Sequence, residues 1–317
     1  MERKTKLNVL PPNPDVDEVE GVVGPGRFPK WLHRSIPKGN ALWKTHEVLN
    51  SHRLPTVCEE AGCPNLPECY SKKTATFLAM GKECTRNCGF CEIDFSKQPK
   101  ALSVDEPERL ALSVKELGLK HVVITMVARD DLPDGGAAHL AKIIAKVREV
   151  NGGVTIEVLT SDFEGNLAAY KTILAAKPEI FNHNVETVRA LTPRVRHKAT
   201  YDRSLSLLRY MKERAEDKIY VKSGLMLGLG ETPEQVRETL NDLAAIHVDI
   251  VTMGHYLQPN NRKLMVKSFV TPQEFDEYAA YGRERGIPHV YAGPFVRSSY
   301  NAGSLFDAIK HKMQEYN

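Results

Sequence analysis

The sequence predicts an α/β fold in which helices alternate with the strands of a parallel sheet. Apolar runs of strand length, such as residues 121–127, alternate with segments that carry the 3.6-residue apolar period of helices. Helix starts are also marked, because Thr232 and Gln235 have capping-box spacing with Pro233 at the first helical position. About six strand–helix units of this kind favour a sheet with both faces covered.

The predicted elements follow one another in a regular order. Apolar alternation predicts strands at 74–80, 121–127, 154–160, 179–184, 219–227, 248–256 and 290–292. Helical periodicity predicts helices at 41–51, 103–117, 136–150, 166–176, 203–214, 232–246, 271–284 and 305–314. We expect a capping box at Ser103 and Glu106, and a glycine stop at Gly118.

The first 57 residues are rich in proline and glycine and favour few regular elements. One short helix is expected at 41–51, with Asn40 as its N-cap. Both tryptophans of the chain, Trp31 and Trp43, lie in this segment, and large aromatic rings favour burial. We therefore predict an arm that packs over the rest of the chain, the alternative being a disordered tail.

Composition excludes several classes of protein. The formal charge of the 317 residues is only +3, with both signs well mixed, so a basic nucleic-acid surface is not expected. No apolar run has the length of about 18 residues that a membrane span requires. The amino terminus lacks the apolar region of a secretory signal, so we expect a protein of the reducing cytoplasm.

All six cysteines lie within a short stretch of the chain and form two triplets, C-x4-C-x5-C and C-x3-C-x2-C. Disulfides are disfavoured by compartment and chain length, and a zinc site usually has paired C-x2-C ligands. Iron–sulfur ligation, which uses closely spaced thiolates in a loop, is the third interpretation and fits best. The two triplets are Cys58, Cys63 and Cys69, followed by Cys84, Cys88 and Cys91.

The second triplet, with Phe90 just before its last cysteine, resembles the radical S-adenosylmethionine (SAM) superfamily. The resemblance implies a 4Fe–4S cluster held by Cys84, Cys88 and Cys91, whose fourth iron is left open to bind SAM. Reductive cleavage of SAM to a 5′-deoxyadenosyl radical is the chemistry that it implies. It also implies a partial (β/α)6 TIM-type barrel with an open side for a large substrate.

The first triplet narrows the resemblance. Together with Arg297-Ser298-Ser299-Tyr300-Asn301-Ala302 near the C-terminus, it is similar to the lipoyl synthase family. In that family the second serine, here Ser299, completes an auxiliary 4Fe–4S cluster. The implied domains are residues 1–72, an arm with the auxiliary-cluster loop, 73–292, the barrel, and 293–317, an extension that carries the serine.

This family resemblance implies sulfur insertion at C6 and C8 of a protein-bound N6-octanoyl-lysine, with the auxiliary cluster as the sulfur source. The implied partners are octanoylated lipoyl carrier domains, namely 2-oxo acid dehydrogenase E2 subunits and the glycine cleavage H protein. Ferredoxin or flavodoxin is the implied reductant. Alternatives are another sulfur-inserting or methylthio-transferring radical SAM enzyme, and a non-catalytic iron–sulfur or zinc protein.

Polar residues at predicted strand ends are the candidates for contacts with SAM or substrate, because parallel strands present their carboxyl ends at one edge. Structural roles remain open for each: a charge pair for Asp130, a salt bridge for Glu157 and a plain turn for Gly228. His255 is compatible with a structural role, and the basic run Arg194 to Lys198 with a carrier contact or a solvated face. The candidates are Phe90, Thr125, Asp130, Glu157, Asn184, Glu186 and Gly228.

Overall fold

The computed structural model describes residues 29–33, 40–215 and 219–315, with side chains up to residue 309. The chain divides into two compact units, Met1–His33 and Arg34–Asn317. In the first unit, Lys30–Leu32 forms a single 3-10 turn. The predicted N-terminal arm lies largely outside the described residues.

Strands and helices alternate along the second unit. In chain order the strands are β1 (Thr76–Ala79), β2 (Glu83–Cys84), β3 (Asp94–Phe95), β4 (His121–Met126), β5 (Thr155–Leu159), β6 (Ile180–Asn182), β7 (Tyr220–Leu227), β8 (Ile250–His255) and β9 (His289–Gly293). The α-helices are α1 (Ala41–Ser51), α2 (Val57–Glu60), α3 (Leu66–Ser71), α4 (Glu106–Leu117), α5 (Ala137–Val150), α6 (Leu167–Ala176), α7 (Thr192–Val195), α8 (Tyr201–Arg214), α9 (Pro233–Ala245), α10 (Pro272–Glu284) and α11 (Ala302–Glu315).

Seven of these strands form one parallel sheet in the order β1-β4-β5-β6-β7-β8-β9, and β2 pairs with β3 separately. The sheet is open, because β1 and β9 are its two edges. The α/β class and the open parallel arrangement confirm the predicted partial barrel. None of the described helices is long and apolar enough to cross a membrane.

The two faces of the sheet differ in chemistry. Outward-facing residues such as Ile124, Ile156 and Val221 are fully buried within the apolar core that the surrounding helices share. The inward-facing residues of the same strands are more polar and include Glu157 and Lys222, which are also buried. Side chains of a strand alternate between faces, so each strand supplies both layers.

A buried ion pair occupies the inner face. Glu157 on β5 accepts a hydrogen bond from Lys222 on β7 at 2.8 Å and from Asn182 on β6 at 3.2 Å. His121 on β4 lies 3.3 Å from the other carboxylate oxygen. These partners explain the acid within the apolar β5 run, because a buried charge must be paired. The prediction that Glu157 contacts SAM is therefore replaced by its structural alternative.

Helix α11 packs against the amino ends of the strands. The Phe306 ring contacts the rings of Tyr220 and His121 edge-on, at centroid distances of 5.1 and 6.0 Å. Phe306 also shares a buried cluster with Ile180 and Ile250, which are the first residues of β6 and β8. The closing helix thus covers the end of the inner face that is opposite the strands' carboxyl ends.

Most helix ends agree with the sequence signals, but two do not. Thr232 with Gln235 forms the predicted capping box, and Gly118 ends α4 in the left-handed conformation. The capping box predicted at Ser103 and Glu106 is wrong. Helix α4 begins at Glu106, whose carboxylate instead accepts the Met80 amide at 3.0 Å and pairs with a histidine of α5.

At the N-terminal end of the second unit, α1 forms as predicted. Asn40 precedes it, but no hydrogen bond from the helix reaches the Asn40 side chain. The expectation that both tryptophans are buried is wrong for Trp43, which is 68% exposed.

Replacing Lys222 with methionine leaves the Glu157 carboxylate buried without its main cation. We expect the free energy of unfolding to fall by about 3–5 kcal/mol, because an uncompensated buried charge is costly. Urea denaturation followed by circular dichroism measures it. Lys146, on the surface of α5 beside Glu149, gives the matched control, and Lys146→Met should cost less than about 1 kcal/mol. Equal costs for the two variants would contradict the assigned role of the pair.

Candidate functional site

The loop that carries the second triplet follows β1, at the carboxyl end of the sheet, as the sequence predicts. Thr85 fixes one side of the loop, since its amide and its hydroxyl both donate to the Ala128 carbonyl at 3.0 Å. Gly89 fixes the other side: its amide donates to Val195, and its carbonyl accepts the Leu264 amide at 2.9 Å. Segments that follow β4, β6 and β8 therefore hold the loop.

Arg86 is the charged anchor of this loop. Its guanidinium donates to both carboxylate oxygens of Asp130 at 2.8–3.2 Å and lies 2.6 Å from Asp162. All three side chains are at most 10% exposed. Asp162 also pairs with Arg203 at 3.1 Å. The Arg86 clamp, which is Arg86 with Asp130 and Asp162, ties the cysteine loop to the ends of β4 and β5.

The clamp corrects one predicted site residue and accounts for one that the sequence did not indicate. Asp130 was expected to contact SAM or to lie in a solvated loop with a charge pair, but its carboxylate is buried and is bound by Arg86 from the cysteine loop. Arg86 stands between Cys84 and Cys88 in the sequence, and that position is the one signal that could have identified it. Asp162 follows the predicted third strand and carries no distinguishing pattern.

Burial is the main cause of the raised pKa of two thiols of the second triplet, Cys88 and Cys91. It raises the pKa of the Cys88 thiol to about 11 and that of the Cys91 thiol to about 12, and repulsion by Cys84 adds to both. Thiolates are unstable in such surroundings unless positive charge neutralises them. Iron supplies that charge in an iron–sulfur cluster, so these three cysteines fit the implied group.

The first triplet has similar surroundings. Cys58 lies in α2, Cys69 in α3 and Cys63 between them. Burial raises the pKa of Cys58 to about 12 and that of Cys69 to about 11, with added repulsion from Cys63. Mutual repulsion requires the three thiols to be neighbours, which again fits a cluster.

Among the described residues, no three His, Cys, Asp or Glu side chains are arranged to hold a single metal ion. The ligands of a four-iron cluster bind different irons, so they need not converge on one point as zinc ligands do.

The C-terminal segment that contains Ser299 reaches the first triplet. Asn65, between Cys63 and Cys69, donates its side-chain amide to the Phe295 carbonyl at 2.8 Å. These residues are 230 positions apart in the chain. The fold therefore brings together the two sequence features on which the auxiliary-cluster prediction depends.

Asn184 and Glu186 lie together just beyond the end of β6. The Asn184 side-chain amide donates to the Glu186 carboxylate at 3.1 Å and lies 3.5 Å from the Ser298 hydroxyl. Glu186 has a φ of +65°, an uncommon conformation for a residue with a side chain and one that clusters at functional sites. Burial is the main cause of the raised pKa of Cys88 and Cys91, and the negative charge of Glu186 adds to the rise. Glu186 therefore lies near the second triplet.

The pair of Asn184 and Glu186 has hydrogen-bond acceptors that are available to a ligand. Burial raises the pKa of Glu186, while the nearby Arg196 guanidinium opposes the rise. Within the described part of the chain, the buried Oδ1 of Asn184 has no hydrogen-bond partner. A carboxylate beside an unpartnered carbonyl oxygen can accept hydrogen bonds from an ammonium group.

Phe90 and Gly228 lie on the side of the site nearest β7 and β8. Phe90 is partly buried against an apolar cluster of Val195, Leu229 and Tyr256. Gly228 has a φ of +103°, and a Cβ there would lie 2.8 Å from both the His255 ring and the Ser268 carbonyl. Glycine is thus required for backbone conformation and packing.

The remaining candidates are placed as follows. The Thr125 hydroxyl, on the inner face of β4, donates to the Leu159 carbonyl at 3.3 Å. His255 is fully buried between two backbone carbonyls, which matches its structural interpretation. Arg196 is wrong as a carrier contact, because it is 6% exposed and donates to the carbonyls of Asn184 and Val185. Its buried contacts with the end of β6 were not apparent from the sequence.

Known proteins resemble the chain in sequence. A family model described as the radical SAM superfamily matches residues 78–243. The lipoyl synthase of Protochlamydia amoebophila is 64% identical over 308 residues, which cover 97% of this chain and 95% of that protein. The lipoyl synthase of Chlamydia muridarum is 52% identical over 288 residues, covering 91% and 93%.

Solved structures resemble the fold at low identity. Streptococcus suis SuiB bound to precursor peptide SuiA matches with a TM-score of 0.54 at 14% identity, covering 79% of this chain and 52% of that one. The FeFe-hydrogenase maturase HydG from Carboxydothermus hydrogenoformans matches with a TM-score of 0.53 at 15% identity, covering 84% and 70%. These likenesses support the fold alone.

Replacing Arg86 with lysine removes the planar fork that contacts two carboxylates at once. We expect the Thr85 and Arg86 amides to exchange hydrogen about tenfold faster, because the loop loses its charged anchor. Hydrogen exchange read by mass spectrometry measures this. Arg214→Lys, at an exposed pair with Glu213, is the control. Unchanged hydrogen exchange in the Arg86 variant would contradict the role of the Arg86 clamp in holding the cysteine loop.

The same clamp predicts a pH dependence. Burial alone would raise the pKa of Asp162, but the Arg86 guanidinium outweighs it and lowers the pKa to about 2. A lowered carboxylate pKa contributes stability that is present above the ordinary value of about 4 and lost as pH falls towards 2. Between about pH 4 and pH 2, the free energy of unfolding should therefore fall less in Asp162→Asn than in the parent protein. Unfolding measured across this pH range tests the prediction.

Proposed function

The chain belongs to the lipoyl synthase family of the radical SAM superfamily, and from this membership we propose that it inserts sulfur at C6 and C8 of a protein-bound N6-octanoyl-lysine. The observation that carries the proposal is the meeting of the first cysteine triplet with the C-terminal serine segment, through Asn65 and Phe295. Sulfur insertion needs a sulfur donor, and the proposed auxiliary cluster would supply it.

We assign Cys84, Cys88 and Cys91 to the cluster that binds SAM, and Cys58, Cys63, Cys69 and Ser299 to an auxiliary 4Fe–4S cluster. The SAM-binding cluster, together with SAM, would supply a carbon-centred radical for C–H bonds that acid–base catalysis cannot break, and the auxiliary cluster would supply the sulfide that is inserted. A serine oxygen is a weaker ligand than a cysteine thiolate for iron in an iron–sulfur cluster. A weaker ligand suits a cluster that is consumed in the reaction.

The protein's own residues bind and orient SAM in this proposal. The Glu186 carboxylate and the free Oδ1 of Asn184 accept hydrogen bonds from its amino group, because both acceptors lie together near the second triplet. Phe90 and the turn at Gly228 form the apolar side, suited to the adenine ring. Thr125 offers its hydroxyl lone pairs from the inner face of β4.

Two structural features protect the reaction. The Arg86 clamp fixes the loop of the second triplet relative to the sheet. The apolar cluster around Phe90 and Leu229 limits water near the radical, which side reactions with solvent would otherwise consume. Positioning and water exclusion are the contributions that a protein makes when a cofactor supplies the chemistry.

The partners follow from the proposed substrate. We propose octanoylated lipoyl carrier domains as substrates, including 2-oxo acid dehydrogenase E2 subunits and the glycine cleavage H protein, and ferredoxin or flavodoxin as reductant. We propose Arg194, His197 and Lys198 for contact with an acidic carrier, since all three are exposed. A reducing cytoplasm, which preserves thiols and clusters, is the compartment we propose.

Anaerobic incubation with SAM, dithionite and an octanoyl-lysine peptide tests the function. We expect the peptide mass to increase by two inserted sulfurs, with 5′-deoxyadenosine as coproduct. The protein should carry about eight irons and eight sulfides per chain, as two four-iron clusters require. A methylthio-group addition to the peptide would favour the alternative radical SAM reaction, and a zinc-only protein would contradict the enzyme assignment.

Replacing Ser299 with alanine separates the two proposed clusters. We expect sulfur insertion to fall at least about a hundredfold, because the auxiliary cluster loses a ligand, while SAM cleavage to 5′-deoxyadenosine remains detectable. Product masses measure the first activity and chromatography the second. Ser304→Ala, in α11, is the matched control. Equal loss of both activities would count against separate roles for the clusters.

A further inference from the structure

Hydrogen bonds join the segment after β9 to the segment before β1. Asn65 donates to the Phe295 carbonyl at 2.8 Å. The Tyr300 hydroxyl donates to the Glu68 carboxylate and lies 3.0 Å from both of its oxygens. Because β1 and β9 are the two edges of the open sheet, these contacts connect its opposite sides.

The second contact lies next to both ends of the proposed auxiliary site. Glu68 directly precedes Cys69 in α3, and Tyr300 directly follows Ser299. Residues adjacent in sequence are 3.8 Å apart at their Cα atoms. The bond between Tyr300 and Glu68 therefore restricts the distance between the backbone of Ser299 and that of Cys69.

Charge strengthens this contact. A phenol that donates to a carboxylate forms a charge-assisted hydrogen bond, stronger than one between neutral groups. Lys72, one turn further along, lies 2.6 Å from the same carboxylate. The Glu68 carboxylate therefore has a cationic partner in Lys72 as well as the Tyr300 hydroxyl.

The opposite side of the segment rests on β8. A Cβ at Gly254 would lie 1.9 Å from the Val296 carbonyl oxygen, so the segment touches the inner face of the strand. The His255 amide donates to the Pro294 carbonyl at 3.2 Å. These contacts fix the start of the segment, whereas Tyr300 fixes it on the far side of Ser299.

We propose that Tyr300 and Glu68 are positioning residues for Ser299: their hydrogen bond holds the C-terminal segment so that the serine oxygen faces the first cysteine triplet. The inference rests on the proposed role of Ser299 as a cluster ligand and adds two residues that act through it. Their effect is on how firmly the serine is held.

Tyr300→Phe, which removes only the hydroxyl, tests this proposal in the cluster-loaded protein. We expect the amides of residues 297–301 to exchange hydrogen about tenfold faster, since the segment loses its charged hydrogen bond. We also expect a chelator to remove iron from the auxiliary cluster about tenfold faster, followed by absorbance and assigned by Mössbauer spectroscopy. Glu68→Ala should raise both rates as much as Tyr300→Phe does. Glu68→Gln keeps an amide oxygen that accepts a hydrogen bond, so both of its rates should lie between those of Glu68→Ala and the parent.

The matched control is Tyr281→Phe, which removes a hydroxyl that bonds Asn241 at 3.1 Å on the exposed side of α10. It should change neither measurement. Combining Tyr300→Phe with Glu68→Ala should add little to either single change, because both remove the same bond. Additive effects, or parent-like exchange and iron release in Tyr300→Phe, would overturn the proposal.

The two proposals fail in different ways. A parent protein that inserts no sulfur into octanoyl-lysine would contradict the function, whereas hydrogen exchange would still measure the Tyr300–Glu68 contact. A parent protein that inserts sulfur, with iron release unchanged in Tyr300→Phe, would contradict only the positioning role.

Discussion

The guanidinium of Arg86 is the interaction on which the arrangement of the site depends. It belongs to the cysteine loop, yet its partners Asp130 and Asp162 follow two different strands of the sheet. A planar group that satisfies two buried carboxylates fixes direction as well as distance, which a single point charge does not. The three thiols of the second triplet therefore keep a defined position relative to the strand ends that carry Asn184 and Glu186.

A second set of charges lies on the inner face of the barrel, away from the carboxyl ends of the strands. Glu157 and Lys222 pair among His121 and Asn182, and α11 covers the strand ends with Phe306. A parallel sheet presents its carboxyl ends to ligands, so the amino ends are available for stability. The acid in β5 belongs to this structural layer, while Glu186, with an uncommon backbone conformation, lies near the second cysteine triplet.

The auxiliary site depends on chain topology more than on any one element. Its proposed ligands come from two regions that are far apart in sequence, namely α2 and α3 with the turn between them, and the segment after β9. Asn65 and Tyr300 contact across that separation, and Gly254 allows the C-terminal segment to lie directly on β8. An open sheet has two unpaired edges, and here the segment that bears the serine connects the regions beside them.

Residue order was sufficient to predict the α/β class, the order of the elements and the grouping of the cysteines into two triplets. Apolar periodicity depends on which face of a strand or helix is buried, and cysteine spacing depends on local loop geometry. The partners of the buried acids could be identified only from the folded chain. Asp130, Glu157 and Glu186 are all acids near strand ends or within apolar runs, yet the first binds Arg86, the second Lys222, and the third faces the cysteine loop. Their partners come from distant parts of the chain, and the energy of a buried charge is set by those partners.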